Sequence, residues 1–354
     1  MDIKESIGKI LDQPTLYPNL PRKSREQRES DLLVWHEKYG EVNANYNLYG
    51  LDVEGLHDAD DFLDNGIFRS QRYKANSTFY PAGSEFPYDY SIVFRDKRLF
   101  DAYYARIMPQ DLPVTYGYLV NGEAHLFDGS TERFLAAHDG EHVAVKQTFG
   151  CHGVNLKSCR IEGGSVVCGG DSMPFDEFVK SVSGVGESMW IIQKWLVQHS
   201  VMSEFNPTSI NTLRIVSYNT GKRVVVGNSS LLVGPAGSII NNPEAGNETL
   251  YGISNEGVVS DFAYSFFECS RTSTPFAGTV IPHYMKARDL VRRAHEAFPE
   301  VFTVGWDVVI GPDGPILLEG NDGWSPRAIQ VPTQQGERAR WTELLEERMG
   351  VYAR

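Results

Sequence analysis

The spacing of hydrophobic positions changes along the chain, and it predicts where helices give way to strands. Residues 1–90 are polar and rich in turn formers. They hold one amphipathic stretch at 31–40, which Ser30 or Asp31 would cap and Gly40 would end, and a second short helix expected at 58–63. From Asp96 the helical period sharpens, with Leu99, Phe100, Tyr103 and Ile107 on one predicted face. Strands follow at 115–120 and 124–127, joined by Asn121-Gly122, a dipeptide suited to a two-residue hairpin turn. A strand from His142 reaches Lys146 and runs into a loop bearing Gly150 and Gly153. Residues 160–167 read as the next hairpin, and Asp171 to Phe175 as the start of a short helix with Pro174 near its first turn. The apolar strand at 189–199 is interrupted by Gln193 and Lys194, and 209–217 alternates so that Thr212 and Arg214 share a face. Another strand at 224–233 leads to a loop at 234–252 rich in Asn, Pro and Gly. The stretch 282–298 predicts a helix with Ala287, Leu290, Val291, Ala294 and Phe298 inward, and His295 beside them is expected to be a satisfied structural histidine. A loop at 324–332 containing Arg327 precedes a closing helix at 337–349.

The segment from Gly305 to Asn321 carries the most chemistry. Two apolar runs flank Gly311-Pro312-Asp313-Gly314-Pro315, the signals of a β-hairpin. Asp307 is expected at the start of the first strand, with Glu319 and Asn321 closing the second. Alternation puts Glu319 and Asn321 on one face, so three oxygen-bearing side chains converge. Two neighbouring carboxylates repel and resist desolvation unless a cation lies between them, and hard oxygen ligands suit Mg²⁺. The plain alternative is a hairpin whose end carries solvated acids.

Composition narrows the class. A 354-residue chain with 41% hydrophobic and 22% charged residues has the make-up of a globular protein large enough for two or three packed subdomains. A net charge of −13 argues against nucleic acid as the main partner, though not against nucleotides, which need only a few cations placed locally. The start of the chain lacks the basic and apolar segments of a signal peptide, and no run approaches the roughly 18 apolar residues of a membrane span. Cys151, Cys159, Cys168 and Cys269 show no C-x-x-C spacing. A zinc site from Cys151, His152, Cys159 and Cys168 stands against the plainer reading of buried or idle thiols, which implies a reducing cytoplasm.

Three further positions invite chemistry. Lys97 falls in the first turn of its predicted helix, where the dipole disfavours a cation and a bound anion would remove the conflict. Lys146, on a strand before a flexible loop, is placed to hold phosphates, or is a solvated strand-end lysine. Arg214, in a strand too apolar to leave it unpaired, is either a salt-bridge partner or an anion clamp. Past Trp195, the chain could offer backbone groups to an adenine edge.

In their order these landmarks resemble the ATP-grasp superfamily, and within it the sugar-transfer-associated family, also labelled hexapeptide-transferase-like. The resemblance is carried by Asp96-Lys97, Val145-Lys146 with Gly150 and Gly153, Ile192-Gln193, Asn211-Thr212-Leu213-Arg214, Ile281-Pro282, His295 with Phe298-Pro299, Gly305-Trp306-Asp307, and Gly314 to Asn321. It covers most of the chain from about residue 45, where Leu48-Tyr49-Gly50-Leu51-Asp52 is similar to the family's leading segment. It implies an α+β ATP-grasp fold with a nucleotide between two α+β subdomains, here 91–200 and 201–354, behind a helical N-terminal extension at 1–90. It also implies roles. Lys97 and Lys146 would bind phosphates, Gly150 to Gly153 would cover them, and Gln193, Lys194, Trp195 and Leu196 would form the adenine hinge. Arg214 would meet the γ-phosphate or an acyl phosphate and, with Lys146, be catalytic. Asp307, Glu319 and Asn321 would hold Mg²⁺, two ions being expected and Mn²⁺ an alternative.

The activity implied is ATP-dependent ligation of a small-molecule carboxylate to an amine through an acyl phosphate, in natural-product or surface-polysaccharide biosynthesis. The alternatives are a small-molecule kinase and a nucleotide-binding protein without turnover. Arg271 and Arg327 are candidates for the substrate carboxylate. Asn247 and Ser254 depart from the family's glycine and aspartate in a segment expected to border the acceptor pocket. A monomer or homodimer in the cytoplasm, with no nucleic-acid or membrane partner, is expected.

Overall fold

Local signals account for the N-terminal helices. The computed structural model of the chain describes residues 2–77, 89–149, 156–186, 188–237 and 248–352. It begins with α1 (Ile3–Leu11), absent from the sequence reading, and α2 (Arg25–Tyr39). Helix α2 starts earlier than the amphipathic stretch suggested, because Ser24 and Gln27 form a reciprocal capping box; Gly40 ends it at φ 78°. The helix expected at 58–63 is only a 3₁₀ turn, Ala59–Asp61, after which the chain extends to bury Phe62 and Leu63. The real helix follows as α3 (Asn65–Ser77). Then come α4 (Ile92–Arg95) and α5 (Lys97–Ile107). Helix α5 buries Phe100, Asp101 and Tyr104, while Ile107 is exposed, so its inward stripe is rotated from the predicted one.

Among the described residues the strands form two antiparallel sheets of seven. The first contains β1 (Thr115–Val120), β2 (Glu123–Leu126), β3 (His142–Gln147), β4 (Lys157–Glu162), β5 (Ser165–Cys168), β6 (Asp171–Pro174) and β7 (Trp190–Lys194), in the order β2-β1-β7-β3-β4-β5-β6. Helices α6 (Thr131–Ala137) and α7 (Phe175–Val182) cover one face, where Phe134, Phe175 and Phe178 meet Val143, Val145, Ile161 and Ile192. Alternation leaves Ala144, Lys146, Ile191 and Gln193 on the other face. Pro174 lies at the end of β6 and before α7, so the helix starts one residue past it.

After α8 (Ser200–Phe205), the second sheet runs β12-β11-β10-β9-β8-β13-β14, with β8 (Thr212–Asn219), β9 (Val224–Val233), β10 (Thr249–Ile253), β11 (Val259–Ser265), β12 (Ser270–Ser273), β13 (Thr303–Ile310) and β14 (Pro315–Asn321). One face packs Leu213, Ile215, Val304, Trp306 and Val308 against α9 (Tyr284–Glu296) and against Phe94, Phe100 and Tyr104 of α4 and α5. On the other face α10 (Pro326–Thr333) lays Ala328 over Leu232 and Leu250. That helix replaces the loop expected at 324–332: Pro326 occupies the first turn, where a missing N–H is harmless, and Ile329 and Val331 are fully buried. α11 (Arg338–Tyr352) closes the chain.

Cys159 and Cys168 are not idle thiols. They are register partners on β4 and β5 and form a disulfide, which leaves neither available to zinc and removes the ground for expecting a reducing compartment. Cys151 and His152 lie outside the described residues. Among the described residues no helix is long and apolar enough to cross a membrane.

His295 is fully buried in a closed hydrogen-bond chain. Trp306 Nε1 donates to Ser217 Oγ (2.7 Å), Ser217 Oγ lies 2.6 Å from His295 Nδ1, and His295 Nε2 lies 2.9 Å from the Val301 carbonyl. A carbonyl only accepts, so Nε2 carries the proton and Nδ1 accepts from the serine; the ring is neutral. Burial holds its pKa down to about 4. The unfolded chain therefore binds this proton first, and the group's contribution to stability is intact above about pH 6.5 and lost as pH falls toward 4. Urea titrations across that window are expected to show His295→Asn with a flatter pH dependence than the parent, by up to about 1.4 kcal/mol per pH unit; equal slopes would contradict this.

Candidate active site

The β13–β14 hairpin builds the site from its register. Asp307 stands in the middle of β13 rather than at its start, directly opposite Glu319, and Gly305 is opposite Asn321. A bulge after Asp307 leaves Leu318 unmatched, so Leu317 pairs with Val308 in the core while Glu319 stays beside Asp307. Both motif glycines are required by close approach. A Cβ on Gly305 would lie 2.4 Å from Trp324 Cβ, and one on Gly320 would lie 2.7 Å from the Phe94 ring. Trp306 points to the opposite face and anchors the strand in the core.

Three cations surround the two carboxylates. Arg214 is Asp307's register partner on β8 and grips both its oxygens, Nε to Oδ1 at 2.5 Å and Nη2 to Oδ2 at 3.0 Å. Lys97 Nζ lies 3.5 Å from Glu319, so the carboxylate offsets the lysine's unfavourable place at the start of α5. Lys146 joins them because the end of β3 is tied to the start of α5: Lys97 N–H donates to Thr148 O at 2.9 Å, and Asp96 bridges Phe149. Burial pushes the Lys146 ammonium down to about 8, against the pull of Glu319. It also raises Asp307, which Arg214 opposes and the neighbouring Glu319 reinforces. Burial acts upward on Glu319 too, but Lys97, Lys146 and Arg214 hold it below the ordinary carboxylate range.

The donor set suits a hard divalent cation. Two carboxylates opposite one another in register favour a positive charge between them, and Asn321 sits against both, its Nδ2 3.4 Å from Asp307 and 3.5 Å from Glu319. Turning that amide would present its oxygen instead, an all-oxygen set that favours Mg²⁺. Among the described residues no three His, Cys, Asp or Glu side chains cluster, so the third protein oxygen would be the asparagine's.

The model of the sugar-transfer associated ATP-grasp family matches residues 83–345. The chain belongs to that family. Solved structures similar to this ATP-grasp chain include the ATP-grasp ligase PsnB complexed with a phosphomimetic variant of its minimal precursor, Mg and ADP, at 14% identity over 73% of this chain and 60% of that one, TM-score 0.40. Another is D-alanine–D-alanine ligase from Bacillus anthracis, at 12% identity over 74% of this chain and 69% of that one, TM-score 0.43. A third is the N5-carboxyaminoimidazole synthase of Aspergillus clavatus with ADP and 5-aminoimidazole ribonucleotide, at 12% identity over 69% and 52%, TM-score 0.38. The chain thus spans 60% of the PsnB chain's length. No curated protein sequence matches it.

The remaining ATP-grasp positions are placed as follows. Gln193 is buried, and its amide donates to Thr115 Oγ1 (2.9 Å), which donates to Asp101 (2.6 Å). The backbone amides of Lys194 and Trp195 already serve Val114 and His142 carbonyls, while the Trp195 ring stacks on His142 at 4.2 Å. Leu196 continues the chain beyond β7, half-buried. Gly150, Gly153 and Asn247 lie outside the described residues. Arg327 comes from α10, its guanidinium 4.5 Å over Phe266. Arg271 is not brought to the cluster: it sits on the far edge strand β12, five strands from β13, packed on Phe262 and Tyr17. Ser254 Oγ donates to Glu256 at 2.8 Å.

Sequence reasoning missed three residues here. Asp101 is buried beside Lys146 and accepts from Thr115 and Tyr118. Asp322, next to Asn321, is held by Arg95 and by Arg72 of α3, which ties the N-terminal extension to the hairpin's end. Glu248, buried just before β10, is the third. None had a local signal beyond its charge.

Proposed function

We propose that the chain is an ATP-dependent carboxylate–amine ligase that activates a carboxylate as an acyl phosphate and releases ADP and phosphate, acting on building blocks of natural products or surface polysaccharides. Family membership and one observation support this reading: Asp307 and Glu319 in register, ringed by Lys97, Lys146 and Arg214. Such a cluster neutralises charge and positions groups, which is most of what phosphoryl transfer asks of a protein. The nucleotide would lie between the two sheets, its phosphates against Lys97 and Lys146 and its base near Trp195 and Leu196. Asp307, Glu319 and Asn321 would carry Mg²⁺, which when bound supplies charge neutralisation at the phosphates. Lys97 and Arg214, which hold the carboxylates in the metal-free protein, would then be freed to face the transferring phosphoryl group and the acyl phosphate.

Incubation with ATP, Mg²⁺ and pooled carboxylates and amines, read by product mass, tests the reading. ADP with a condensed product is expected. A phosphorylated hydroxyl would make the protein a kinase, and no turnover would leave a nucleotide-binding module.

A further inference from the structure

Glu248 is a buried acid that the ATP and metal chemistry does not use. It is 6% exposed and immediately precedes β10, and no partner among the described residues reaches its buried Oε1. It lies two residues before Leu250, which packs under Ala328 of α10, and it feels the charges of Arg214, Asp307 and Arg327. All three belong to the α10 side of the second sheet. Arg327 is the complement: half-buried, fixed by its stacking on Phe266, with a buried Nε that finds no acceptor among the described residues. An acid and an arginine thus stand within electrostatic reach of one another, one buried and one half-buried, each with a hydrogen-bonding atom that finds no partner among the described residues. An unsatisfied buried polar atom costs about 1–3 kcal/mol, more for a charged group, and such atoms in a native fold call for a ligand or a function.

We propose that Glu248 and Arg327 form the acceptor subsite and read a zwitterion, a free α-amino acid whose ammonium lies on Glu248 and whose carboxylate lies on Arg327. The inference builds on the ligase reading, since an amine is the nucleophile that reading requires. The ammonium supplies a cation to Oε1, and the carboxylate accepts from the guanidinium in the planar geometry that arginine favours. Burial raises the Glu248 carboxyl to about 7 in the ligand-free protein, and a cation placed beside it would reverse that shift. The subsite lies on the same face as Arg214, so an amine held there is near the group proposed to meet the acyl phosphate.

Calorimetry on the full chain with ADP and Mg²⁺, titrated separately with the twenty common amino acids and D-alanine, tests the subsite. At least one free amino acid is expected to bind, and its N-acetyl and decarboxylated counterparts to bind roughly tenfold or more weakly, as loss of a charged hydrogen bond implies. Glu248→Gln is expected to weaken the amino acid by a similar factor while ADP affinity is kept, and Glu248→Asp, which retains the charge, to weaken it less. Arg327→Gln should abolish discrimination against the decarboxylated amine. If no amino acid binds, or Glu248→Gln binds it as the parent does, the subsite is wrong. If binding depends on Glu248 but the product is a phosphorylated acceptor, the subsite stands and the ligase reading falls.

Discussion

Replacing Glu319 with glutamine is expected to lower ATP turnover by about 10³-fold or more while the fold survives, because a lost metal ligand removes several kcal/mol of charge stabilisation at the phosphates. The change is isosteric, so the bulge and the Phe94 contact with Gly320 are undisturbed. Its electrostatic effect is large. Glu319 is the acid on which Lys97, Lys146 and Arg214 all act, and without it Asp307, already gripped by Arg214, is the one carboxylate of the hairpin left among them. ADP release measures turnover, and near-ultraviolet circular dichroism with the melting temperature measures the fold. Retained turnover would remove Glu319 from the metal site, and collapse of the fold would make its role structural.

The parts of this site legible in sequence were those whose signals are local. Alternating apolar runs around a Gly-Pro turn specify the hairpin and bring Asp307 and Glu319 together whatever else the chain does. Lys97 and Lys146 were visible as oddly placed cations, but their meeting depends on the tie between Thr148 and the start of α5, a long-range contact without a sequence signature. The same limit explains the missed elements. Helix α3 carries a weak apolar pattern, and what seats it is long-range: Phe68 meets Trp324 and Trp341, from the far end of the chain, at 4.8 and 5.2 Å. Helix α10 was hidden by its two prolines, which occupy its first and last turns. The disulfide required the register of β4 on β5. Glu248 had no sequence signal, since what singles it out is burial with no partner for Oε1 among the described residues, and burial is a property of the packed sheet.

Arg214→Met is expected to destabilise the metal-free protein by about 3 kcal/mol, since removing one member of a largely buried ion pair strands the other. The pair is 15% and 10% exposed, and Asp307 would then face Glu319 with no bidentate cation on it. This loss should be specifically repaired by Mg²⁺. On the proposed metal assignment, arginine and cation compete for Asp307, so the variant offers Asp307 and Glu319 uncontested, and a cation at about 100 times its dissociation constant adds about 2.7 kcal/mol to stability. Urea unfolding with and without Mg²⁺ should therefore show a larger increment in Arg214→Met than in the parent, even though turnover is lost with the phosphate-facing guanidinium. Adding Asp307→Asn should recover stability and abolish the Mg²⁺ increment together, because the stranded charge and the metal ligand are one group. An increment equal in the variant and the parent would mean that the arginine and the cation do not share Asp307, and the apposed carboxylates would need another explanation.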